Sequence, residues 1–255
     1  MKITIITATY NSSRFLEDCI QSVLNQTYPN IEYIIIDGKS KDNTLSIIKK
    51  YEDRISKWVS EDDRGMYDAI NKGVKMATGE VIGLLNSDDM FASNDVVETI
   101  AKAFIDQKVD STFGDLAYID QMNTGKIIRF WKGNEYNRLR FMYGWMPAHP
   151  TFYVKKELIT QFGDYQTHFY TAADYEFMSR LLFKHKISSF YVPKLLVKMR
   201  VGGQSNSTLK ARLRANRRDF LAMRRNNIPM PLIVSFLKPL IKLHQYFYSF
   251  FNKGF

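Results

Sequence analysis

The chain is predicted to fold as an α/β domain whose mostly parallel sheet is flanked by helices. Three observations predict this. Short apolar runs rich in β-branched residues recur along the first half, each run passes through polar turn chemistry into a helical pattern, and carboxylates stand where runs end. Ligands in such sheets gather at the carboxyl ends of the strands.

Ile3–Thr9 and Ile31–Asp37 read as buried parallel strands, because they are nearly continuously apolar instead of alternating. After the first, Asn11, Ser12 and Ser13 are placed to cap a helix with the stripe Phe15, Leu16, Cys19, Ile20, Val23 and Leu24. The second leads through Asp37-Gly38-Lys39-Ser40 into a helix over residues 42–51. Trp58-Val59 predicts a third strand and Met66–Met76 a helix. Residues 81–85 predict a fourth strand, ending in Asn86-Ser87-Asp88-Asp89. A helix at 95–105 and a strand at 111–113 follow. Beyond residue 115 the alternation weakens into strand-like pieces at Ile127–Trp131 and 151–154 and a helix at 174–184, which predicts a second lobe built onto the sheet.

A chain of 255 residues, 45% hydrophobic and 24% charged, can bury one large core and shows no repeat or fibrous character. Its single cysteine, Cys19, forms no intramolecular disulfide, and the first residues lack the basic and apolar regions of a signal peptide. A reducing cytoplasm is the expected compartment. The net charge of +10 is concentrated at the end: residues 210–255 hold ten Lys or Arg against Asp219 alone, while the first 209 residues are almost neutral. Residues 209–226 predict a basic helix and 231–251 an apolar, aromatic segment interrupted by Lys238-Pro239. No stretch reaches the roughly 18 apolar residues of a spanning helix, so an amphipathic segment in the membrane interface is expected.

Paired carboxylates at a strand end, as in Asp88-Asp89, can hold a hard divalent cation that bridges phosphates, although adjacent acids are commonly solvated loop residues or caps. Asp37 precedes a tight glycine turn and is placed to accept hydrogen bonds from a base or ribose. Asp42 reads as a helix cap. Ala8 and Tyr10 offer backbone groups and an aromatic face, or simple packing. Asp174 reads either as a helix N-cap or as a base held open to a cleft. His149 stands in no metal-ligand spacing with the other histidines, and Cys19 lies on an apolar face, which argues against zinc.

Five segments taken in order resemble glycosyltransferase family 2, with the GT-A fold, and within it bacterial capsule, exopolysaccharide and O-antigen enzymes such as the colanic acid transferases. They are Ile5-Ile6-Thr7-Ala8-Thr9-Tyr10-Asn11, Ser22-Val23-Leu24-Asn25-Gln26-Thr27-Tyr28, the run Asp37 to Thr44, the run Ser60 to Gly73, and Gly79 through Asp89. The resemblance covers about the first 205 residues. It implies that Thr7, Ala8, Tyr10 and Asp37 form the pocket for the nucleotide base, uridine being the expected one. It further implies that Asp63, Gly65, Asn71, Lys72, Ser87 and Asp88 line the rest of the donor site, and that Asp89 ligates Mn²⁺ or Mg²⁺. Ala172-Ala173-Asp174-Tyr175-Glu176-Phe177 resembles the segment that supplies the general base, Asp174, with Glu176 as fallback. His149 and Arg200 resemble residues near the acceptor and the diphosphate. Lys39 departs from the small residue frequent at its position, and Asn86-Ser87 from the commoner acid and alanine.

The expected organisation is a GT-A domain over 1–208, with a nucleotide-sugar half at 1–115 and an acceptor half at 116–208, and a membrane-associating tail at 209–255. The expected activity is inverting transfer of a sugar from a nucleotide diphosphate donor to a glycan or lipid-linked acceptor in surface polysaccharide synthesis. The enzyme would be peripheral at the inner face of the cell membrane, with a homodimer as a further option. A sugar nucleotidyltransferase would show a glycine- and basic-rich loop after the first strand, where this chain has Thr7-Ala8-Thr9-Tyr10-Asn11. Dinucleotide and P-loop glycine motifs do not occur. A nucleic-acid-binding protein is disfavoured by the near-neutral body, and a non-catalytic glycan-binding module by the retention of Asp37, Asp88, Asp89 and Asp174 together.

Overall fold

A computed structural model of the chain describes residues 1–202 and 209–235. In chain order the elements are β1 (Ile3–Thr9), α1 (Leu16–Leu24), β2 (Ile31–Asp37), α2 (Thr44–Lys50), β3 (Lys57–Ser60), α3 (Met66–Met76), β4 (Val81–Leu84), β5 (Met90–Phe91) and α4 (Val96–Gln107). Then come β6 (Ser111–Ile119), β7 (Ile127–Trp131), β8 (Tyr153–Lys155), α5 (Lys156–Phe162), α6 (Ala173–Met178), β9 (Ser189–Arg200) and α7 (Leu209–Arg225). Short 3-10 turns occupy Arg138–Tyr143, His149–Thr151 and Thr167–Ala172.

The strands form one sheet in the order β3-β2-β1-β4-β8-β6-β9-β5, with β7 paired to β6. Strands β1, β2, β3, β4, β6 and β9 run in one direction, and β5, β7 and β8 run against them. Each apolar strand feeds two cores because successive side chains point to opposite faces. In β2, Tyr33 and Ile35 join α1, α2 and α4 on one face, whereas Ile34 and Ile36 join α3, α5 and α6 on the other. The result is a helix-sheet-helix sandwich, and the sheet runs unbroken across residue 115 through β6.

Three sequence expectations are corrected, and one strand had not been expected. No side chain caps α1: Asn11, Ser12 and Ser13 are drawn off to neighbouring loops, and the Ser12 carbonyl accepts from the amides of Phe15 and Leu16 instead. The helix expected over 174–184 is α6 followed by a π turn at Ser179–Lys184. Residues 179–183 are all buried there, which one face of a 3.6-residue helix cannot deliver. Strand β9 was hidden by Pro193, which sits in a bulge: the register jumps from Gly114 opposite Val192 to Asp115 opposite Leu195. The strand at 151–154 shrinks to β8, with Thr151 ending a 3-10 turn and bonded to the Gly114 carbonyl at 3.1 Å.

The basic helix is present as α7, but it is built into the body. Ala222, Met223 and Asn226 are fully buried, and beyond the helix Ile228 and Val234 join the core. Leu221, Met230, Leu232 and Ile233 stay exposed on the other side. The apolar segment expected at 231–251 lies outside the described residues from 236 onward. Among the described residues no helix is long and apolar enough to cross a membrane.

Candidate active site

The candidate site lies where β1, β2, β3 and β4 end. Parallel alignment brings these ends to one edge, with Thr9 opposite Asp37 and Asp37 opposite Ser60. Three loops are sewn together there. The Asn11 amide donates to Ser40 Oγ at 2.8 Å, and Asn11 Oδ1 accepts from the Lys41 amide at 2.8 Å. The Ser12 amide donates to Thr44 Oγ1, and the Ser12 and Ser87 hydroxyls share a hydrogen bond of 2.9 Å. Asn11 adopts a left-handed backbone (φ 48°) to make this turn.

Tyr10 is 58% exposed at the mouth, and Ala8 packs toward the α3 face. A Cβ on Gly38 would lie 2.5 Å from Asp63 Oδ2 and 3.4 Å from the Tyr10 ring, so glycine is what lets the acid and the ring close over this turn. Asp63 Oδ1 in turn accepts from the Gly65 amide at 2.8 Å, and Gly65 takes φ 111° at the start of α3. Tyr10 and Asp63 thus gather at the Gly38 turn, with Gly65 bonded to Asp63. Asp37 is at the same edge but fully buried: its carboxylate accepts from the Ser40 amide (3.0 Å), the Ser40 hydroxyl and the Ser60 hydroxyl (2.6 Å). Thr7 faces away from the mouth, buried with its hydroxyl accepting from Tyr33 at 3.2 Å beside Cys19. Its odd position in β1 puts it on the α1 face, a matter of strand parity. Lys72 pairs with Glu61 at 2.9 Å.

The second cluster is the turn after β4. Asp89 is fully buried, accepting from Asn86 Nδ2 at 2.8 Å and from the Arg200 amide at 3.2 Å. Burial first, and the neighbouring charge of Asp88 second, push its carboxyl well above the usual range. Asp88, partly exposed, is also raised by burial. Arg200 belongs to this cluster: its guanidinium donates to the Asp88 carbonyl (2.7 Å), to the Gln121 carbonyl (3.2 Å) and to Asp18, and lies over the Phe15 ring. Among the described residues no group of three or more His, Cys, Asp or Glu is arranged to hold a metal. Asp88 and Asp89 offer hard carboxylate oxygens, the donor type that suits a cation that also takes phosphate oxygens.

The third cluster surrounds Asp174, partly exposed in the first turn of α6 with Oδ1 accepting from the Tyr175 amide at 2.7 Å. Burial and then the charge of Asp174 raise the hydroxyls of Tyr67 and Tyr165. His149 is pulled down by burial against the attraction of Asp174, and its Nε2 shares a 3.3 Å hydrogen bond with the Tyr165 hydroxyl. His149 thus stands beside the expected base. Asn71, expected on the donor side, has its side-chain amide engaged with the backbone of Tyr165. Glu176 points away from the cleft, fully buried against Arg180 at 3.0 Å. Tyr67, Tyr165, Ser40 and Ser60 were not singled out in the sequence. Ser40, Ser60 and Tyr67 lie inside the family-like runs, and Tyr165 lies outside them.

The chain matches the sequence model described as "Glycosyl transferase family 2" over residues 4–174. It is 27% identical over 208 residues to the PGL/p-HBAD biosynthesis glycosyltransferase of Mycobacterium bovis, covering 80% of this chain and 79% of that protein. S. aureus TarS is similar in structure at a TM-score of 0.68 and 17% identity, with all of this chain covering 44% of that one; its 1–349 fragment in complex with UDP aligns at 0.69 with 76% covered. The mannosyltransferase PcManGT from Pyrobaculum calidifontis, in complex with GDP-Man and Mn²⁺, aligns at 0.66 and 18% identity over 96% of this chain and 70% of that one.

Proposed function

The chain belongs to glycosyl transferase family 2, with the GT-A fold, and from that premise we propose that it is an inverting, divalent-metal-dependent transferase using a nucleotide diphosphate sugar, with UDP as the carrier. The observation that carries this reading is the seam between Ser12 and Ser87, which ties the Tyr10 and Asp63 mouth to the Asp88-Asp89 turn. A nucleoside would sit against Tyr10 and Asp63, with its diphosphate directed to the acid pair. Asp37, locked by Ser40 and Ser60, shapes that wall. The complexes of TarS with UDP and of PcManGT with GDP-Man and Mn²⁺ support the donor class and the ion. A divalent ion held by Asp89, with Asp88 beside it, would neutralise the departing diphosphate.

Asp174 removes the proton from the acceptor hydroxyl as that oxygen attacks the anomeric carbon, and the nucleotide diphosphate leaves from the opposite face. Tyr67, Tyr165 and His149 lie within the electrostatic reach of this carboxylate, which adds to the rise that burial gives the two hydroxyls and opposes the fall that burial gives His149. The acceptor in this reading is a lipid-linked glycan at the inner face of the membrane, in the synthesis of surface polysaccharide. Exposed Leu221, Met230, Leu232 and Ile233 beside exposed Arg217, Arg224 and Arg225 support such attachment.

A melting screen tests the donor assignment, since a ligand that binds only the native state raises Tm. UDP-sugars with Mn²⁺ or Mg²⁺ should raise it and the same sugars with chelator should not. Equal shifts from unrelated nucleotides such as ATP would overturn the donor class.

A further inference from the structure

Asn226, the residue that follows α7, lies well past the last residue of the family match. Its side chain is fully buried, and Nδ2 donates to the Glu176 carbonyl at 3.1 Å and to Ser179 Oγ at 2.9 Å, with Glu176 Oε1 at 3.4 Å. Its Oδ1 is buried and has no hydrogen-bond partner among the described residues. A position selected for stability alone is badly served by an unsatisfied buried amide oxygen.

The groups that Asn226 touches lead to the base. Glu176 is two residues beyond Asp174 and is clamped by Arg180, whose Nε and Nη2 both reach the carboxylate. The same guanidinium donates to three successive carbonyls, those of Phe162, Gly163 and Asp164. The next residue is Tyr165, which Asn71 brackets and which bonds to His149. A second contact comes from the body of α7. Arg218 lies 4.4 Å from the Tyr170 ring and donates to Thr171 Oγ1 at 3.4 Å, and Tyr170 is held at a positive φ of 49° shortly before Asp174. Two contacts, one from α7 and one from the residue that follows it, therefore fasten both sides of the segment that presents Asp174.

We infer that Asn226 and Arg218 are positioning residues for the transfer step, so that the C-terminal helix is part of the catalytic unit. This rests on the reading of Asp174 as the base. Neither residue faces the donor side, so their loss misplaces the carboxylate and leaves nucleotide binding alone. A displacement of about 1 Å at a reacting group is worth up to roughly 100-fold in rate.

The test uses the full chain with Asn226→Ala, Asn226→Asp and Arg218→Gln, assayed well below each variant's melting temperature. UDP binding with Mn²⁺ is measured by calorimetry, turnover by hydrolysis of a UDP-sugar with water as acceptor, and amide hydrogen exchange over residues 162–177. The inference expects unchanged UDP affinity, turnover lowered at least about 10-fold, and faster exchange in that window for all three variants. Unchanged exchange, or turnover lowered only in proportion to an unfolded fraction, overturns it. Should Asn226→Ala not fold, the surface variant Arg218→Gln decides by the same readouts. A wild-type chain that turns over no UDP-sugar counts against the transfer reading, and the exchange measurement still decides whether α7 anchors the segment.

Discussion

Asn71 and Tyr165, 94 residues apart, meet as side chain to backbone: Asn71 Nδ2 donates to the Tyr165 carbonyl at 2.8 Å and Asn71 Oδ1 accepts from the Tyr165 amide at 3.0 Å. An amide imitating a strand partner in this way joins α3, on the donor side, to the loop beneath the expected base. Asn71→Ala leaves both backbone groups without partners, and each such loss costs about 1–3 kcal/mol where water cannot replace it. Urea unfolding should show a loss of about 2 kcal/mol or more. A normal unfolding midpoint with a raised donor KM would return Asn71 to the donor pocket.

Asp89→Ala is expected to abolish metal-dependent turnover while leaving the chain folded, because it removes a buried carboxylate whose charge is poorly compensated in the protein itself. Circular dichroism and a Mn²⁺ titration monitored by UDP binding check both halves. Near-normal turnover of the wild type in excess chelator would refute the metal assignment.

Asp174→Asn keeps the shape of the side chain and removes its basicity. Turnover should fall by about 10²–10⁴-fold with nucleotide-sugar affinity unchanged. Full activity in Asp174→Asn would transfer the role elsewhere, though not to Glu176 as it is held by Arg180.

Acid should reveal Glu32. Burial alone would raise its carboxyl, but Lys57 (2.9 Å), Thr78 and Thr4 (2.7 Å) hold it down to about 2. Its pKa is therefore depressed on folding, so its contribution is complete above the unfolded value of about 4.3 and is lost as pH falls from there toward 2. The size is on the order of 2 to 3 kcal/mol. Comparing urea midpoints of wild type and Glu32→Gln from pH 6 to 2.5 should show the gap between them closing over that window; a constant gap contradicts the assignment.

Membrane attachment is tested by removing residues 236–255, a cut that spares the buried Val234. Sedimentation with anionic vesicles should be weaker in the truncated chain, which keeps Arg217, Arg224, Arg225, Leu232 and Ile233, and should be weakened by salt in both, each basic residue near the surface being worth about 1 kcal/mol. Identical, salt-independent sedimentation of both chains rules the attachment out.

The parts of this molecule that were legible in the sequence are those governed by local chemistry. Strands β1 and β2 announce themselves by β-branched runs, and Tyr10, Asp63, Asp88, Asp89 and Asp174 stand at strand ends or helix starts. Parity and long-range partners were not legible. Thr7 lies one residue from Ala8 yet faces the opposite core, Asn71 serves a backbone 94 residues away, and Arg180 looks like an ordinary helix residue until three carbonyls converge on it. Pro193 hid β9 because a bulge that tolerates proline is a property of the pairing with β6, not of the segment itself.

The hydrogen bond from Arg200 to Asp89 closes a gap of 111 residues, and that has a meaning for biosynthesis. A ribosome adding roughly 5–20 residues per second needs on the order of ten seconds to travel from one to the other. Throughout that interval the nascent chain has its first four parallel strands outside or within the exit tunnel, but β5 has no β9 to pair with and the acid pair lies open to water. Chains stalled or cleaved before residue 200 would carry every carboxylate of the donor side and still lack the strand that seats them. Translation order thus delays the contact between Asp89 and Arg200 until residue 200 has been added.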